Sequence, residues 1–214
     1  MEILFEDRDL IVCVKPVGVL SQADSDGGES MISLLESHTG GEIYPLHRLD
    51  REVGGVMAYA KSKRAAAKLS RDITEHTFRK EYIALVHGVP TPAQGEMRDL
   101  LFKDSRKNKT FVVNRPRKGV KDALLEYTLL ETVSTESGVS SKVQILLHTG
   151  RTHQIRVQFA SRKMPLTGDR KYGGKDSFSQ IGLWSYRLRF AHPVSGEALE
   201  FSKEPEFASL TDAK

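Results

Sequence analysis

The sequence predicts an α+β protein with a mixed sheet flanked by helices and loops. Short apolar runs of strand length are interspersed with amphipathic stretches of helical period. The two kinds of segment do not follow one another in the regular strand–helix order that a doubly wound parallel sheet requires. The length, 214 residues with 39% hydrophobic and 28% charged, suits one domain spanning 1–214, with room for two lobes. No internal repeat or low-complexity tract suggests otherwise.

Taken in order, Asp9 to Val14 reads as a buried strand ended by the turn Lys15-Pro16-Val17-Gly18. Asp24 to Gly28 reads as a loop. Met31, Ile32, Leu34 and Leu35 then form a short helix capped by Ser30. Gly54 to Ala60 is a second apolar strand. From Ser62 the chain turns helical, with Ala65, Ala66, Leu69 and Ile73 on one face and Lys63, Arg64, Lys68 and Arg71 largely on another. Lys80 to Val86 and Lys142 to Leu147 are further strands. Thr152 reads as a helix cap, with Ile155 and Phe159 one turn apart behind it, and Glu204 to Lys214 as a frayed tail.

Composition narrows the function. The balance is mildly basic, 32 Lys and Arg against 28 Asp and Glu, for a net charge of +4. A single cysteine, Cys13, excludes an internal disulfide and any multi-cysteine metal site; it sits in an apolar run as a small buried hydrophobe. The start Met1-Glu2-Ile3 lacks the basic and apolar stretches of a signal peptide, and no run approaches the ~20 apolar residues of a membrane span. A cytoplasmic protein without membrane contact is the expectation. Gly-rich nucleotide loops, a Gly-x-Ser-x-Gly elbow and a His-Glu-x-x-His motif are all absent.

Three distant segments carry polar constellations. Pro45-Leu46-His47-Arg48-Leu49-Asp50-Arg51 precedes a strand, in a loop that a rigid scaffold can present. Asp50 between two arginines favours the ionised form, suited to a nucleophile or electrostatic stabiliser, although spacing alone favours a surface ion pair. In Lys80-Glu81-Tyr82-Ile83-Ala84-Leu85-Val86, Tyr82 shares a strand face with Ala84 and Val86 and could stack on a nucleobase or pack at a sheet edge. In Gly150-Arg151-Thr152-His153-Gln154-Ile155-Arg156, Arg151 leaves a strand end beside a helix N-terminus and could pair with a carboxylate, a phosphate or each in turn. His148 and His153, five apart, fit no common metal spacing, so no metal site is expected. Between Lys103 and Lys121 a basic loop holds eight Lys and Arg, among them Lys107, Lys109 and Arg115, against the single acid Asp104, with Phe111 interleaved. It reads as a surface that tracks phosphates.

Together these segments resemble the RluA family of RNA pseudouridine synthases. His47-Arg48-Leu49-Asp50 followed by Gly55 is similar to the family's catalytic motif, and Leu4-Phe5-Glu6-Asp7 through Gly18 to its opening strand and Lys-Pro-x-Gly turn. Lys80 to Val86 with Gly88 resembles the tyrosine motif. Gly150 to Arg156, then Pro165, Gly168-Asp169 and Tyr172-Gly173, resembles the arginine motif and its following loop. Phe190, His192-Pro193 and Gly196-Glu197 match the closing strands. Each block is weak alone; their common order from Ile3 to Phe201 is specific. In two places the sequence departs from the pattern. Val53-Gly54 stand where the family usually has Thr-Ser, and Leu125 replaces a common Thr.

The resemblance implies the pseudouridine synthase fold, a mixed, mainly antiparallel central sheet whose lobes meet at an active-site cleft. It implies isomerisation of uridines in structured transfer or ribosomal RNA, without a cofactor, by a monomer lacking the N-terminal RNA-binding domain of many relatives. Asp50 is implied as the essential carboxylate, Tyr82 as the ring stacking on the target base, Arg151 as the partner of Asp50, and Arg48 as the residue that displaces or replaces the flipped nucleotide. His47, Thr152, His153 and Gln154 are expected on the substrate side, with Lys107, Lys109 and Arg115 on the RNA backbone. Two other readings compete: an inactive RNA-binding protein on the same fold, to which only Val53-Gly54 points, and a hydrolase, which would want a metal or a second placed carboxylate.

Overall fold

A computed structural model describes residues 1–23, 28–135, 138–174, 176 and 178–205. The expected tail beyond 205 and residues 24–27 of the expected loop lie outside the described residues. In chain order the elements are β1 (Glu2–Glu6), β2 (Leu10–Lys15), α1 (Met31–Thr39), β3 (Tyr44–Pro45), β4 (Gly54–Ala60), α2 (Lys63–Thr74) and β5 (Arg79–His87). They continue with β6 (Gln94–Asp104), β7 (Lys109–Val113), β8 (Val120–Thr135), β9 (Gly138–Leu147), α3 (Gln154–Ser161), β10 (Leu183–Ala191) and β11 (Ala198–Ser202). Two units result, Met1–Lys80 with Trp184–Pro205 and the intervening Glu81–Leu183. Among the described residues no helix is long and apolar enough to cross a membrane.

In the first unit β2 is buried along its whole length, as its unbroken apolar run requires of a strand covered on both faces. It pairs antiparallel with β1 and with β4, and β3 adds to β4. β4 also pairs parallel with β10 through Trp184–Gly54 and Ser185–Gly55, which makes the sheet mixed, and β11 closes antiparallel on β10. Leu10, Val12, Val56, Ala58, Leu69, Phe78, Leu188 and Phe190 form the core on one face, where the Phe78 and Phe190 rings stack at 4.5 Å. Ser30 caps α1 through a capping box with Ser33, and Ser62 caps α2 by accepting from the Ala65 N–H at 3.2 Å. Cys13 is fully buried, and burial pushes its thiol up to about 12, so it serves packing.

The departure Val53-Gly54 has a packing cause. The Trp184 indole lies on Gly54: a Cβ there would stand 2.5 Å from Cζ3 and 3.1 Å from the Lys15 carbonyl. Gly55, at φ +120°, faces the Ser185 backbone as closely. Glycine is therefore what lets β10 approach β4 at this point.

In the second unit the strand order β5–β9–β8–β6–β7 is antiparallel throughout, with a bulge in the β8–β9 ladder between Leu129 and Glu131. α3 packs over it, Val157 joining Leu101 and Ala123, and the Phe159 ring meeting Tyr127 edge-on at 5.9 Å. Leu125 is fully buried, which accounts for an apolar residue there.

Two expectations are corrected here. The basic stretch is only in part a loop: Lys103 and Lys109 stand in β6 and β7 with an Asx turn between them, Lys121 stands in β8, and Arg115, Arg117 and Lys118 lie in the loop that joins β7 to β8. In the Asx turn Asp104 Oδ1 accepts the Arg106 and Lys107 N–H groups at 3.0 and 3.2 Å, and Asn108 takes φ 43°. Charge density hid the alternation of Phe102, Phe111 and Val113 with the cations. Thr152 does not cap α3. His153 precedes the first turn in left-handed conformation, without a side-chain cap bond.

Gly54→Ser should lower the folding free energy by about 2–4 kcal/mol through overpacking against the indole. Trp184→Leu in the same chain should restore part of the loss, read as non-additive urea midpoints. Additive effects would show that the two residues do not share the strain.

Candidate active site

The Asp50 segment belongs to the first unit and owes its shape to one buried cation. Lys15, at the end of β2, is 0% exposed, and its Nζ donates to the carbonyls of Pro16 (2.9 Å), Val19 (2.6 Å) and Arg51 (3.3 Å). A buried ammonium is tolerable only with such partners. Burial lowers Lys15 to about 8, opposed by the negative charges of Asp50 and Glu52, so it stays charged at neutral pH. The turn at Pro16–Val19 and the loop at Arg51 are thereby held to one point. Further anchors reinforce it: Gly18 N–H donates to Arg51 O at 2.8 Å, and Arg51 Nε returns a bond to Gly18 O at 2.9 Å. The Ser21 hydroxyl both accepts from Leu49 N–H and donates to Leu49 O, each at 2.9 Å, and Val53 N–H closes a turn on Asp50 O at 3.0 Å. Backbone atoms of Leu49, Asp50 and Arg51 are thus fixed without the Thr and Ser hydroxyls usual at 53 and 54. Lys15 was visible in sequence as part of a turn motif, but its burial was not.

His47 and Arg48 behave differently. Arg48 is exposed, while the His47 ring turns to the protein, its Nε2 accepting from Ala58 N–H at 3.3 Å beside Phe78. Burial and the nearby Lys80 charge push His47 down to about 3, so it is neutral, with a proton on a Nδ1 that water does not reach. His47 thus has a part in holding the loop to β4 through Nε2.

In the second unit Tyr82, 5% exposed, stands on β5 opposite Ile145 of β9. Arg151 follows β9; its Nε donates to Asp122 O at 2.8 Å, which fixes the plane of the guanidinium. Gln154 was expected to touch substrate. It is 3% exposed, its Oε1 accepting from Thr149 Oγ1 (2.8 Å) and Arg151 N–H (3.1 Å), its Nε2 donating to Leu124 O (3.2 Å). It is a scaffold residue that places Arg151. Thr152 and His153 are half-buried beside it.

Tyr172 links this corner to the hairpin. Its hydroxyl accepts from Thr110 N–H at 2.8 Å and meets His153 Nδ1 at 2.9 Å, while Lys109 Nζ lies 5.0 Å over its ring. Lys109 also donates to Lys171 O at 2.6 Å. Beneath the ring, Arg156 and Asp169, 3% and 0% exposed, form a two-pronged ion pair at 2.7 and 2.9 Å. Lys107 is exposed at the hairpin tip and Arg115 in the loop that follows β7. Sequence reading quoted Tyr172, Arg156 and Asp169 only as motif letters; their junction depends on the hairpin folding back.

Among the described residues one group could offer three metal-ligating atoms, Asp7, Asp9 and His192. His192 Nδ1 accepts from Val194 and Ser195 N–H, so its Nε2 carries the proton donated to Asp7 Oδ2 at 2.8 Å. Asp7 Oδ1 accepts from Asp9 and Leu10 N–H. Asp7 and His192 thus form a clasp between turns, with both His192 ring nitrogens engaged.

Lys15→Met, which strands three carbonyl oxygens, should cost about 2–4 kcal/mol of stability in urea unfolding. An unchanged midpoint would mean that the ammonium does not hold the loop.

The sequence profile of the RNA pseudouridylate synthases matches residues 9–161. An uncharacterized RNA pseudouridine synthase of Aquifex aeolicus is 37% identical, over 96% of this chain and 70% of the relative. Ribosomal large subunit pseudouridine synthase D of Pasteurella multocida is 30% identical, over 100% of this chain and 70% of its own length. Among solved structures, human RNA pseudouridylate synthase domain containing 1 superposes with a TM-score of 0.79 at 25% identity, over 97% of this chain and 84% of that one. Its counterpart domain containing 4 gives 0.75 at 22%, over 96% and 89%, a likeness of fold.

Proposed function

The chain belongs to the RNA pseudouridylate synthase family and is an RNA pseudouridine synthase of the RluA type, and we propose that Asp50, Tyr82 and Arg151 carry its reaction. The observation that carries this reading is the loop around Asp50. Its backbone is pinned at Leu49 and Arg51 by Ser21, Gly18 and the buried Lys15, the preorganisation that a reacting carboxylate needs.

In the reaction the bond from ribose C1′ to uracil N1 breaks and a bond from C1′ to C5 forms. C5 loses its proton and N1 gains one, so atoms and electrons balance without an outside oxidant, reductant or energy source. The uridine leaves its stack to reach the enzyme, at a cost of a few kcal/mol that a structured loop reduces. Asp50 acts on the sugar or the base as the glycosidic bond opens. Tyr82 supports the freed uracil by stacking, and Arg48, exposed beside the carboxylate, fills the place of the flipped nucleotide. Arg151, steadied by Asp122 and Gln154, presents its outer nitrogens to the carboxylate or to RNA phosphate. Its partner is structured RNA, with transfer RNA and large-subunit ribosomal RNA as the candidates; the relatives named for the ribosomal large subunit favour the second. We place the enzyme in the cytoplasm as a monomer.

Asp50→Asn should abolish tritium release from RNA labelled at uracil C5 while RNA binding persists; turnover by that variant refutes the assignment. The exposed cations Lys107 and Arg115 are the proposed phosphate contacts. Lys107→Glu with Arg115→Glu should weaken RNA binding roughly 10-fold or more at 100 mM salt and flatten the slope of log K on log salt by about one per residue. The melting temperature should stay unchanged, and an unaltered salt slope would remove the hairpin from the RNA-binding surface.

A further inference from the structure

Among the described residues Phe111 is the one aromatic side chain in the set of large hydrophobics left exposed, at 37%. Alone, an exposed apolar residue needs no explanation; the setting of this one does. The hairpin face that carries Leu101 and Val112 packs on α3 through Val157. On the other face Phe102 and Phe111 stand directly across from one another, with Leu100 and Val113 paired next along the strands. Strand alternation fixes this division, so the two rings lie side by side on the face turned away from α3.

Around the rings the charge is positive. Arg117, from the loop joining β7 to β8, lays its guanidinium 4.4 Å over the Phe102 ring. Gly119, at φ +86°, turns the loop close to the same ring, where a Cβ would stand 3.5 Å from Cε2. Lys109 Nζ lies 5.9 Å from the Phe111 centroid, and Arg115 is exposed in the same loop as Arg117. The one acid between Lys103 and Lys121, Asp104, is engaged by the backbone of the tip. One ring is therefore covered by a cation and its neighbour is left open. A guanidinium lying flat on a ring engages its face and keeps its N–H edge for an anion. An apolar protein surface would meet this ring of like charges at a cost, whereas a polyanion that carries flat apolar rings of its own matches both features.

We propose that Phe111 stacks on an unpaired base of the substrate RNA, and that Arg115 and Arg117 hold the phosphates beside that base. The inference rests on the RNA-modifying reading above and adds to it the form of RNA recognised. Paired bases keep their faces inside the duplex, so the ring serves a loop, a bulge or a strand end. Every base has such a face, so the contact selects for strandedness and not for sequence. Phosphate contacts alone fix register and orientation but do not tell an open base from a paired one. Phe111 supplies that distinction.

The test uses the full chain and two fluorescein-labelled probes, a single-stranded uridine dodecamer and a GC-rich RNA duplex of the same length. Phe111→Leu should weaken dodecamer binding about 10-fold and leave duplex binding within about 2-fold. The slope of log Kd on log salt should not change, because no charge is removed. Phe111→Trp should bind the dodecamer as tightly as the unaltered chain. Its added indole emission, read as the difference from the unaltered chain, should be quenched by the dodecamer and not by the duplex. Equal weakening of both probes by Phe111→Leu, with a lower melting temperature, makes the ring a prop of the hairpin and overturns the proposal. Unchanged dodecamer binding overturns it as well. Self-association of the unaltered chain that Phe111→Leu abolishes makes the patch a seam between copies, with the same consequence. These failures concern the ring alone. The underlying reading fails, and the proposal with it, when the unaltered chain holds neither probe and releases no tritium from RNA labelled at uracil C5.

Discussion

An ammonium group shut away from water must be met by oxygen atoms, and the chain meets Lys15 with carbonyls drawn from two separate segments. The carbonyls of Pro16 and Val19 belong to a turn built on proline and glycine; that of Arg51 belongs to the loop bearing the proposed catalytic carboxylate. Because the lysine sits at the end of a fully buried strand, its position is set by the core itself. The path is short: an apolar run makes β2, β2 fixes Lys15, and Lys15 fixes the backbone on which Asp50 rides. Ser21 and Gly18 then remove the remaining freedom on either side.

The second unit solves a comparable problem with different chemistry. A hairpin dense in like charges repels itself and would sway if joined only at its base. Here Tyr172 takes the Thr110 N–H and the His153 ring on one hydroxyl, and Lys109 lies over its face. The buried Arg156–Asp169 pair supports the same ring from below. Cations at the hairpin are thereby split in two kinds, some committed to holding it and others, such as Lys107 and Arg115, left to solvent.

Much of this was readable in the chain. Unbroken apolar runs gave β2, β4 and β5, and serines before amphipathic stretches gave the starts of α1 and α2. The order of motifs pointed to the family. What escaped were features decided by distant partners. A lysine in a turn motif looks the same whether it is solvated or sealed, and only the three carbonyls tell which. Gln154 has the polarity of a ligand-binding residue but is consumed in aiming Arg151, and His47 likewise faces inward. The β6–β7 hairpin was obscured because its alternation is carried by few apolar residues among many charges, and α3 begins without the side-chain cap that sequence rules look for.

Trp184 is the one tryptophan in the chain, and its six-membered ring lies directly on Gly54, four residues past Asp50. Its indole N–H is engaged by Lys203 O, so the ring has a single orientation. The chain's one indole, its strongest intrinsic fluorophore, thus stands against the exit of the loop that carries the proposed catalytic carboxylate. Indole emission from the unlabelled enzyme therefore comes from one place, packed against Gly54, and a change in it on adding RNA is an optical record of events at that contact.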